Sequence, residues 1–183
     1  MKATQQLKDE HEGIKIMLSI LGQVRRQLEA TGNLNKEHFV GILEFLKVFV
    51  DKCHHAKEEE LLFPALVAAG VPKDGPVAVM LHEHEMGRNH IKAMNEAFAG
   101  YIAGDISLSK NIMQNIRGYI LLLLDHIEKE NNVLFVMADN LLSEKSQDEL
   151  LKGFEKIEEE RIGVGKHEEF HGLIKKLSGI YSS

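Results

Sequence analysis

The sequence from Cys53 to Leu66 reads CHHAKEEELLFPAL, and a related stretch, DHIEKENNVLF, follows at residues 125–135. In each, a glutamate lies four residues after a histidine, and a phenylalanine lies nine residues after that histidine. The two pairs are His54 with Glu58 and His126 with Glu130. Because residues four apart share one face of a helix, each pair can present an imidazole and a carboxylate to the same point. Two such pairs on facing helices predict a metal-binding helical bundle.

The sequence around these stretches is typical of long helices joined by short loops. It has three prolines and no tryptophan, and it is rich in residues that favour helix. We expect four long helices over residues 4–30, 36–69, 76–103 and 109–142, and shorter ones over 148–161 and 167–180. Asn35 is expected to cap the second helix, and Pro64 to kink or interrupt it.

Short loops join antiparallel neighbours. The predicted fold is therefore all-α: an antiparallel up-down-up-down four-helix bundle over residues 1–142, with a C-terminal helical extension, residues 143–183, packed on the bundle.

Composition limits the classes of partner and location. The net charge of −6 gives no electrostatic support for nucleic-acid binding. The single cysteine, Cys53, excludes an intramolecular disulfide and a multi-cysteine zinc site. The longest apolar stretch, Tyr119–Leu124, is too short to span a bilayer, and the first residues lack an apolar signal core. We expect a cytoplasmic protein with no nucleic-acid partner and no membrane partner.

Helical periodicity separates the inward from the outward histidines among the ten in the chain. The helix over residues 76–103 carries an apolar stripe with steps of three and four, which includes His84 but not His82 or His90. The same test on the other helices selects one histidine from each and two glutamates. The predicted inward set is His11, His54, Glu58, His84, His126 and Glu130.

The second helix has two possible registers, because His54-His55 and Glu58-Glu59-Glu60 each offer neighbouring candidates. The apolar stripe favours His54 with Glu58, and the repeat agrees, since only from His54 does a phenylalanine fall nine residues later. His55, Glu59 and Glu60 are therefore expected to lie in solvent or to act as outer hydrogen-bond partners of the ligands.

Buried carboxylates are costly unless they are paired or bind metal. The plain alternative is that the six groups satisfy one another by hydrogen bonds or salt bridges. Nitrogen and oxygen donors without thiolate suit iron, manganese or zinc. Each of two ions can take two histidines, with the glutamates bridging or terminal, and the positions left open suit oxygen, peroxide or nitric oxide. Ferritin-like bundles instead use Glu-x-x-His, so that class is disfavoured.

These motifs resemble the hemerythrin-like (HHE cation-binding) family, and in particular its four-histidine bacterial branch. The matching text is LKDEH around His11, CHHAKEEELLFPAL around His54, VMLHEHEMGR around His84 and DHIEKENNVLF around His126. The resemblance covers about residues 7–142. It implies a non-haem di-iron centre with an oxo or hydroxo bridge, held by the four histidines His11, His54, His84 and His126, with Glu58 and Glu130 bridging.

Departures from the oxygen carriers of this family change the expected function. Those proteins use a fifth histidine four residues from the third-helix ligand, whereas Met80 and Arg88 occupy those positions here. The last carboxylate is also a glutamate at four residues rather than an aspartate at five. The resemblance implies a protein that binds, senses or detoxifies a small oxidant or diatomic (O2, NO or peroxide).

Three alternatives stay open at the level of sequence. One is a peroxidase- or oxidase-type enzyme, for which no catalytic residue is identified; the second is an iron-handling protein; and the third is a metal-free helical interaction module. The extension carries Glu158, His167 and His171, which are expected to supply outer partners of the ligands, to cover the end of the bundle or to form a homodimer contact. Cys53 and Tyr119 are expected to be core residues.

Overall fold

The computed structural model describes residues 2–181, and within that range every regular element is helical. The all-α fold class is thus as predicted. The α-helices are α1 Ala3–Thr31, α2 Lys36–Phe45, α3 Phe63–Ala68, α4 Pro76–Ile102, α5 Ser109–Lys129, α6 Phe135–Leu141, α7 Glu144–Ile157 and α8 Lys166–Ile180. A short 3-10 turn, Ile106–Leu108, precedes α5.

Wider π-helical turns interrupt the α-helical pitch at four places: Leu46–His55, Glu58–Leu62, Glu130–Leu134 and Glu158–Ile162. The first two lie between α2 and α3, so the second long helix continues through Pro64 without a break. The third lies between α5 and α6. Such turns insert one residue into a helix and often occur at functional sites.

Local signals explain where the helices begin and end. The Asn35 side chain accepts a hydrogen bond from the His38 amide (3.0 Å), as expected of a cap. Gly32 ends α1 in the left-handed region, at φ 70°. The helix expected over residues 148–161 instead begins at Glu144, because the Ser143 side chain caps it by accepting a hydrogen bond from the Ser146 amide.

Two apolar clusters fill the core, and the inward polar residues lie between them along each long helix. In α1, for example, Leu7 belongs to one cluster and Ile14 to the other, with His11 between them. The C-terminal segment, residues 143–181, packs on both clusters: Phe154 of α7 joins the one with Leu7, and Phe170 of α8 joins the one with Ile14. A polar layer is thereby enclosed on two sides by apolar packing.

Across residues 2–181, no helix combines the length and the apolar character needed to cross a membrane.

Candidate metal centre

The structure brings the six predicted inward residues together in one buried layer, where each side chain is at most 1% exposed. Together with His55, they form two overlapping groups of donor atoms, each with all atoms within 4.8 Å of one another. Group 1 contains His11, His54, Glu58 and Glu130, and group 2 contains His55, Glu58, His84 and His126. The structure thus places His54 and Glu58, the pair predicted for the second helix, in group 1. Their role as metal ligands remains a prediction.

The four predicted histidines face one another in two pairs. The Nε2 atoms of His11 and His54 are 2.9 Å apart, and those of His84 and His126 are 3.1 Å apart. Two imidazole nitrogens at this distance repel each other through their lone pairs unless a proton or a metal cation binds them.

The two glutamates lie between the histidine pairs. Glu58 approaches Nε2 of His54 at 3.4 Å and of His84 at 3.3 Å. Glu130 approaches Nε2 of His11 at 3.2 Å and of His126 at 3.3 Å. Each carboxylate therefore contacts one imidazole from each pair.

All four carboxylate oxygens of Glu58 and Glu130 are buried, and no group within residues 2–181 makes a hydrogen bond of good geometry to them. Leaving two carboxylates in this state is costly in a protein interior. Metal cations held by the imidazole nitrogens would satisfy these oxygens. The residues present therefore fit metal binding by nitrogen and oxygen ligands.

Each of the four histidines also donates its Nδ1 proton outward, which leaves Nε2 free to face the cluster. Within each helix pair, His54 donates to Glu10 (2.8 Å) and His126 donates to Glu83 (2.8 Å). The other two hydrogen bonds cross between the helix pairs; their partners are Glu59 for His84 (2.7 Å) and Asn131 for His11 (2.8 Å). Metal-binding histidines characteristically have such partners, which fix the tautomer and the ring orientation.

The layer has internal two-fold symmetry that follows the sequence repeat. Glu10 and Glu83 each precede an inward histidine and accept from the histidine of the next long helix. Glu59 and Asn131 each follow an inward glutamate and accept from the opposite helix pair. The phenylalanines of the repeat also correspond, since Phe135 stacks on His11 and Phe63 stacks on His84 at ring distances of 5.5 and 5.8 Å.

The charges of the layer shift the pKa values of its members. Burial alone would lower the pKa of His54, but the charge of Glu58 and the hydrogen bond to Glu10 outweigh it and raise the pKa to about 10. Burial is likewise outweighed at His84, where contacts with Glu58 and Glu59 raise the pKa to about 9. Burial and the charge of Glu130 oppose ionisation of Glu58, yet the charge of His54 lowers its pKa to about 2.

His55 corrects the prediction of a solvated residue or an outer hydrogen-bond partner, because it is 4% exposed and stacks on His84 with ring centroids 3.8 Å apart. It is the last residue of the π-helical turn Leu46–His55. No residue in the range 2–181 makes a hydrogen bond to its Nδ1 atom. Burial and the charge of His84 hold the pKa of His55 well below its usual value, so it remains neutral.

Sequence reasoning missed Glu10, Glu83 and Asn131. All three lie next to an inward residue, so helical periodicity assigned them to outer faces. A usable signal was the repeat itself, because a glutamate precedes both His11 and His84. Glu59 was expected in solvent or as an outer partner, and the hydrogen bond to His84 makes it an outer partner.

Cys53 and Tyr119 are buried core residues, as expected. Burial raises the pKa of the Cys53 thiol to about 12, so it is not a thiolate at neutral pH. His167 of α8 lies 3.9 Å from the Cys53 sulfur. A cavity of about 250 Å³ lies beside the layer, and its lining includes Glu10, Glu158 and His167. The C-terminal segment thus closes over the side of the layer that carries Glu10.

Comparison with known proteins identifies the family of this arrangement. The family model described as "Hemerythrin HHE cation binding domain" matches residues 2–138. The chain is 24% identical to an uncharacterized protein of Mycobacterium tuberculosis over 181 residues, which cover 99% of this chain and 69% of the relative.

Shorter matches are to proteins named for iron–sulfur cluster repair. YtfE of Pectobacterium carotovorum is 32% identical over 88 residues, which cover 46% of this chain and 40% of that protein. YtfE of Dickeya chrysanthemi is 29% identical over 104 residues, which cover 54% and 47%, respectively. No solved structure matches the chain.

Proposed function

Because the chain belongs to the hemerythrin HHE cation-binding family, we propose that it holds two iron ions and that it binds, senses or detoxifies a small oxidant or diatomic: O2, NO or peroxide. The observation that carries this proposal is the set of four buried carboxylate oxygens without hydrogen bonds, facing four imidazole nitrogens. A metal-free interaction module gives no reason to retain two such carboxylates, since an apolar core would be as stable or more so.

In this proposal each group defines one metal position, with Glu58 and Glu130 between the two and an oxo or hydroxo bridge joining them. Position 1 takes His11 and His54, and position 2 takes His84 and His126. His55 is a further candidate ligand at position 2, which would then have three histidines, whereas position 1 has two. Open coordination sites at a redox-active metal pair would supply the binding of the small ligand.

We further infer that the four long helices form an antiparallel up-down-up-down bundle over residues 1–142. Supporting this order, the first helix passes from the cluster containing Leu7 to the one containing Ile14, and the second passes the opposite way, from Phe39 to Phe63. The buried residues of the third helix pass between the two clusters in the same direction as those of the first helix. The buried residues of the fourth helix pass in the same direction as those of the second. Residues 143–181 would then be an extension that packs on the bundle, and the last two residues of the predicted extension lie outside the described residues.

Apolar packing supports a protected site for a small ligand. Phe63 and Phe135 cover His84 and His11 on the side of one apolar cluster. Tyr119, which is fully buried, belongs to the other cluster. A layer enclosed in this way admits a diatomic or a peroxide more readily than a larger substrate.

Iron–sulfur cluster repair is a second candidate function. It is favoured by the likeness to the YtfE proteins, which are named for that role. These matches cover 46–54% of this chain and 40–47% of the relatives, so the activity of the whole relative does not transfer with them.

Metal content tests the proposal directly. We expect about two irons per chain in the wild-type protein after anaerobic loading with ferrous iron, as in other di-iron bundles. The double variant His54→Ala/His126→Ala removes one ligand from each position and is expected to lose both. His82→Ala, which changes an exposed histidine of α4, is the matched control and should retain them.

Elemental analysis and the ultraviolet-visible spectrum after exposure to air provide the measurements. Charge-transfer bands that respond to nitric oxide or peroxide in the wild type, and are absent from the double variant, would support the proposal. A wild-type protein without stoichiometric metal would overturn it and leave the interaction module as the better hypothesis.

A further inference from the structure

Lys57 is the most deeply buried ion-paired cation of the described chain, since its side chain is 0% exposed. Its Nζ donates to Glu10 Oε1 (2.5 Å) and to Glu158 Oε1 (2.5 Å). Glu10 uses its other oxygen to accept from Nδ1 of His54. A continuous chain of contacts therefore runs from the C-terminal segment through Lys57 and Glu10 to a residue of the metal layer.

The internal symmetry provides a counterpart on the other helix pair. Lys129 lies three residues after His126, as Lys57 lies three residues after His54. It donates to Glu83, which accepts from Nδ1 of His126, and to Asp125 (2.8 Å). The two helix pairs thus have the same chain of histidine, glutamate and lysine.

The two chains differ in what completes them. Lys129 is 35% exposed, and its second partner, Asp125, is 72% exposed. Solvent can replace such an exposed partner at little cost. Lys57 differs because its side chain is 0% exposed, so water does not reach the ammonium, and its second partner, Glu158, is a 26% exposed residue of the C-terminal segment. Gln6 also donates to Glu158 (2.8 Å), which holds that carboxylate in place.

We propose that Glu158 is a positioning residue for metal position 1: through Lys57 and Glu10 it fixes the ring of His54, so that the C-terminal segment sets the affinity of one metal position and not of the other. This inference rests on the proposed function. It assigns the segment a role in the chemistry of the layer, in addition to covering apolar surface.

The physical step is the placement of one buried positive charge. With both carboxylates present, Lys57 lies between them and leaves Glu10 Oε2 directed at His54. The contact between Lys57 Nζ and Glu10 Oε1 is already 2.5 Å long and cannot shorten. Without the charge of Glu158, the ammonium keeps Glu10 as its anionic partner but loses the group that holds it in place. Lys57 and Glu10 can then shift together, and the hydrogen bond that orients His54 is weakened.

Loss of an outer hydrogen-bond partner typically lowers metal affinity by 10–100-fold. Glu158 acts through two intervening residues, so we expect about a tenfold loss for Glu158→Gln. The loss should be confined to position 1. At position 2 we expect less than a twofold change, because no residue there contacts Glu158.

The two positions are measured separately with cobalt(II) as the probe, by absorption titration under anaerobic conditions. A His84→Ala background retains position 1, and a His54→Ala background retains position 2. Glu158→Gln is introduced into each. The first control is Asp125→Asn, which removes the corresponding partner of Lys129. The second is Glu60→Gln, which breaks the exposed pair that Arg161 makes between the same two segments (2.9 Å).

We expect Glu158→Gln to weaken cobalt binding in the His84→Ala background alone. In both backgrounds, the two control variants should bind cobalt with an affinity close to that of the parent protein. Equal affinity with and without Glu158 would overturn the inference. Equal weakening in both backgrounds, or a metal-free Glu158→Gln chain that no longer gives a cooperative unfolding transition, would show a purely structural role and would also overturn it. Absence of cobalt binding in both parent backgrounds would instead count against the proposed metal centre itself.

Discussion

Each of the four predicted inward histidines uses its two ring nitrogens for different tasks. Nδ1 donates to an oxygen of the protein, and Nε2 faces the centre of the layer. Three of the four oxygen partners are carboxylates, and each of these is paired with a cation: Lys57, Arg88 or Lys129. The orientation of a ligand thus depends on charges two contacts away from the site.

His55 is the inward residue without such a partner, and this makes its role testable. If it is a ligand of position 2, His55→Leu should lower the cobalt affinity of that position at least tenfold in the His54→Ala background. Leucine is apolar and of similar size, so the buried site remains filled, and the metal-free chain should be as stable as its parent. Absorption titration and chemical denaturation provide the two measurements.

The control for this experiment is His82→Leu, which changes an exposed histidine and should alter neither quantity. If His55→Leu leaves the cobalt affinity unchanged and instead lowers the free energy of unfolding, the residue serves packing against His84 and is not a ligand.

At the scale of helices, the sequence predicts lengths and ends well because the residues that cap or break helices act locally. Asn35, Gly32 and Pro76 mark helix ends through short-range effects on the backbone. Periodicity also selects the six inward residues, since each interrupts an apolar stripe of its helix. These predictions use the 3.6-residue period alone.

The main error at the site concerns His55. Neighbouring residues can both be buried on one helix, as Glu10 and His11 of α1 are, so a single apolar stripe is too narrow a criterion for the inward face. Likewise, Glu158 lies about 100 residues after Lys57 in sequence, and no local pattern can report a contact over that separation. Helical periodicity therefore could not predict the full width of the inward face or the long-range ion pair.

The cap of α2 offers a test of helix stability that is independent of metal. Asn35 Oδ1 accepts the His38 amide hydrogen bond, and replacing such a cap by alanine typically costs about 1 kcal/mol. We expect Asn35→Ala to lower the free energy of unfolding by that amount without changing the metal content. Urea denaturation measures the loss.

Asn33→Ala, at an exposed position of the same loop, is the matched control for the cap. A change in metal content for Asn35→Ala would show that α2 transmits strain to the layer, contrary to this expectation. Equal loss of stability in both variants would show that the loop as a whole, rather than the cap, stabilises the helix.

For the whole molecule, the buried charges make stability depend on pH in a defined direction. The pKa values of His54 and His84 are raised from 6.5 to about 10 and about 9. Their contribution to the stability of the metal-free protein is complete below about pH 6.5 and is lost as the pH rises through 9 to 10. His55 acts in the opposite sense, because its pKa is lowered, but it is one group against two.

The carboxylates set the acid limit. The pKa values of Glu10 and Glu58 are lowered from 4.5 to about 2, since the charge of His54 and their ion-paired neighbours outweigh burial. Their contribution is present above about pH 4.5 and is lost as the pH falls toward 2. The metal-free protein should therefore be most stable between about pH 4.5 and 6.5.

Metal binding has the reverse pH dependence, because it needs neutral imidazole and ionised carboxylate. Below about pH 9, a metal ion must displace a proton from His54 at position 1 and from His84 at position 2. For every proton displaced, the metal affinity falls roughly tenfold with each pH unit of acidification. The melting temperature of the loaded protein should therefore exceed that of the metal-free protein by a small margin at pH 5.5 and by a much larger one at pH 9. Thermal unfolding of both forms, followed by circular dichroism across this range, measures the difference. A margin that is constant, or that narrows as the pH rises, would mean that these histidines do not bind the metal.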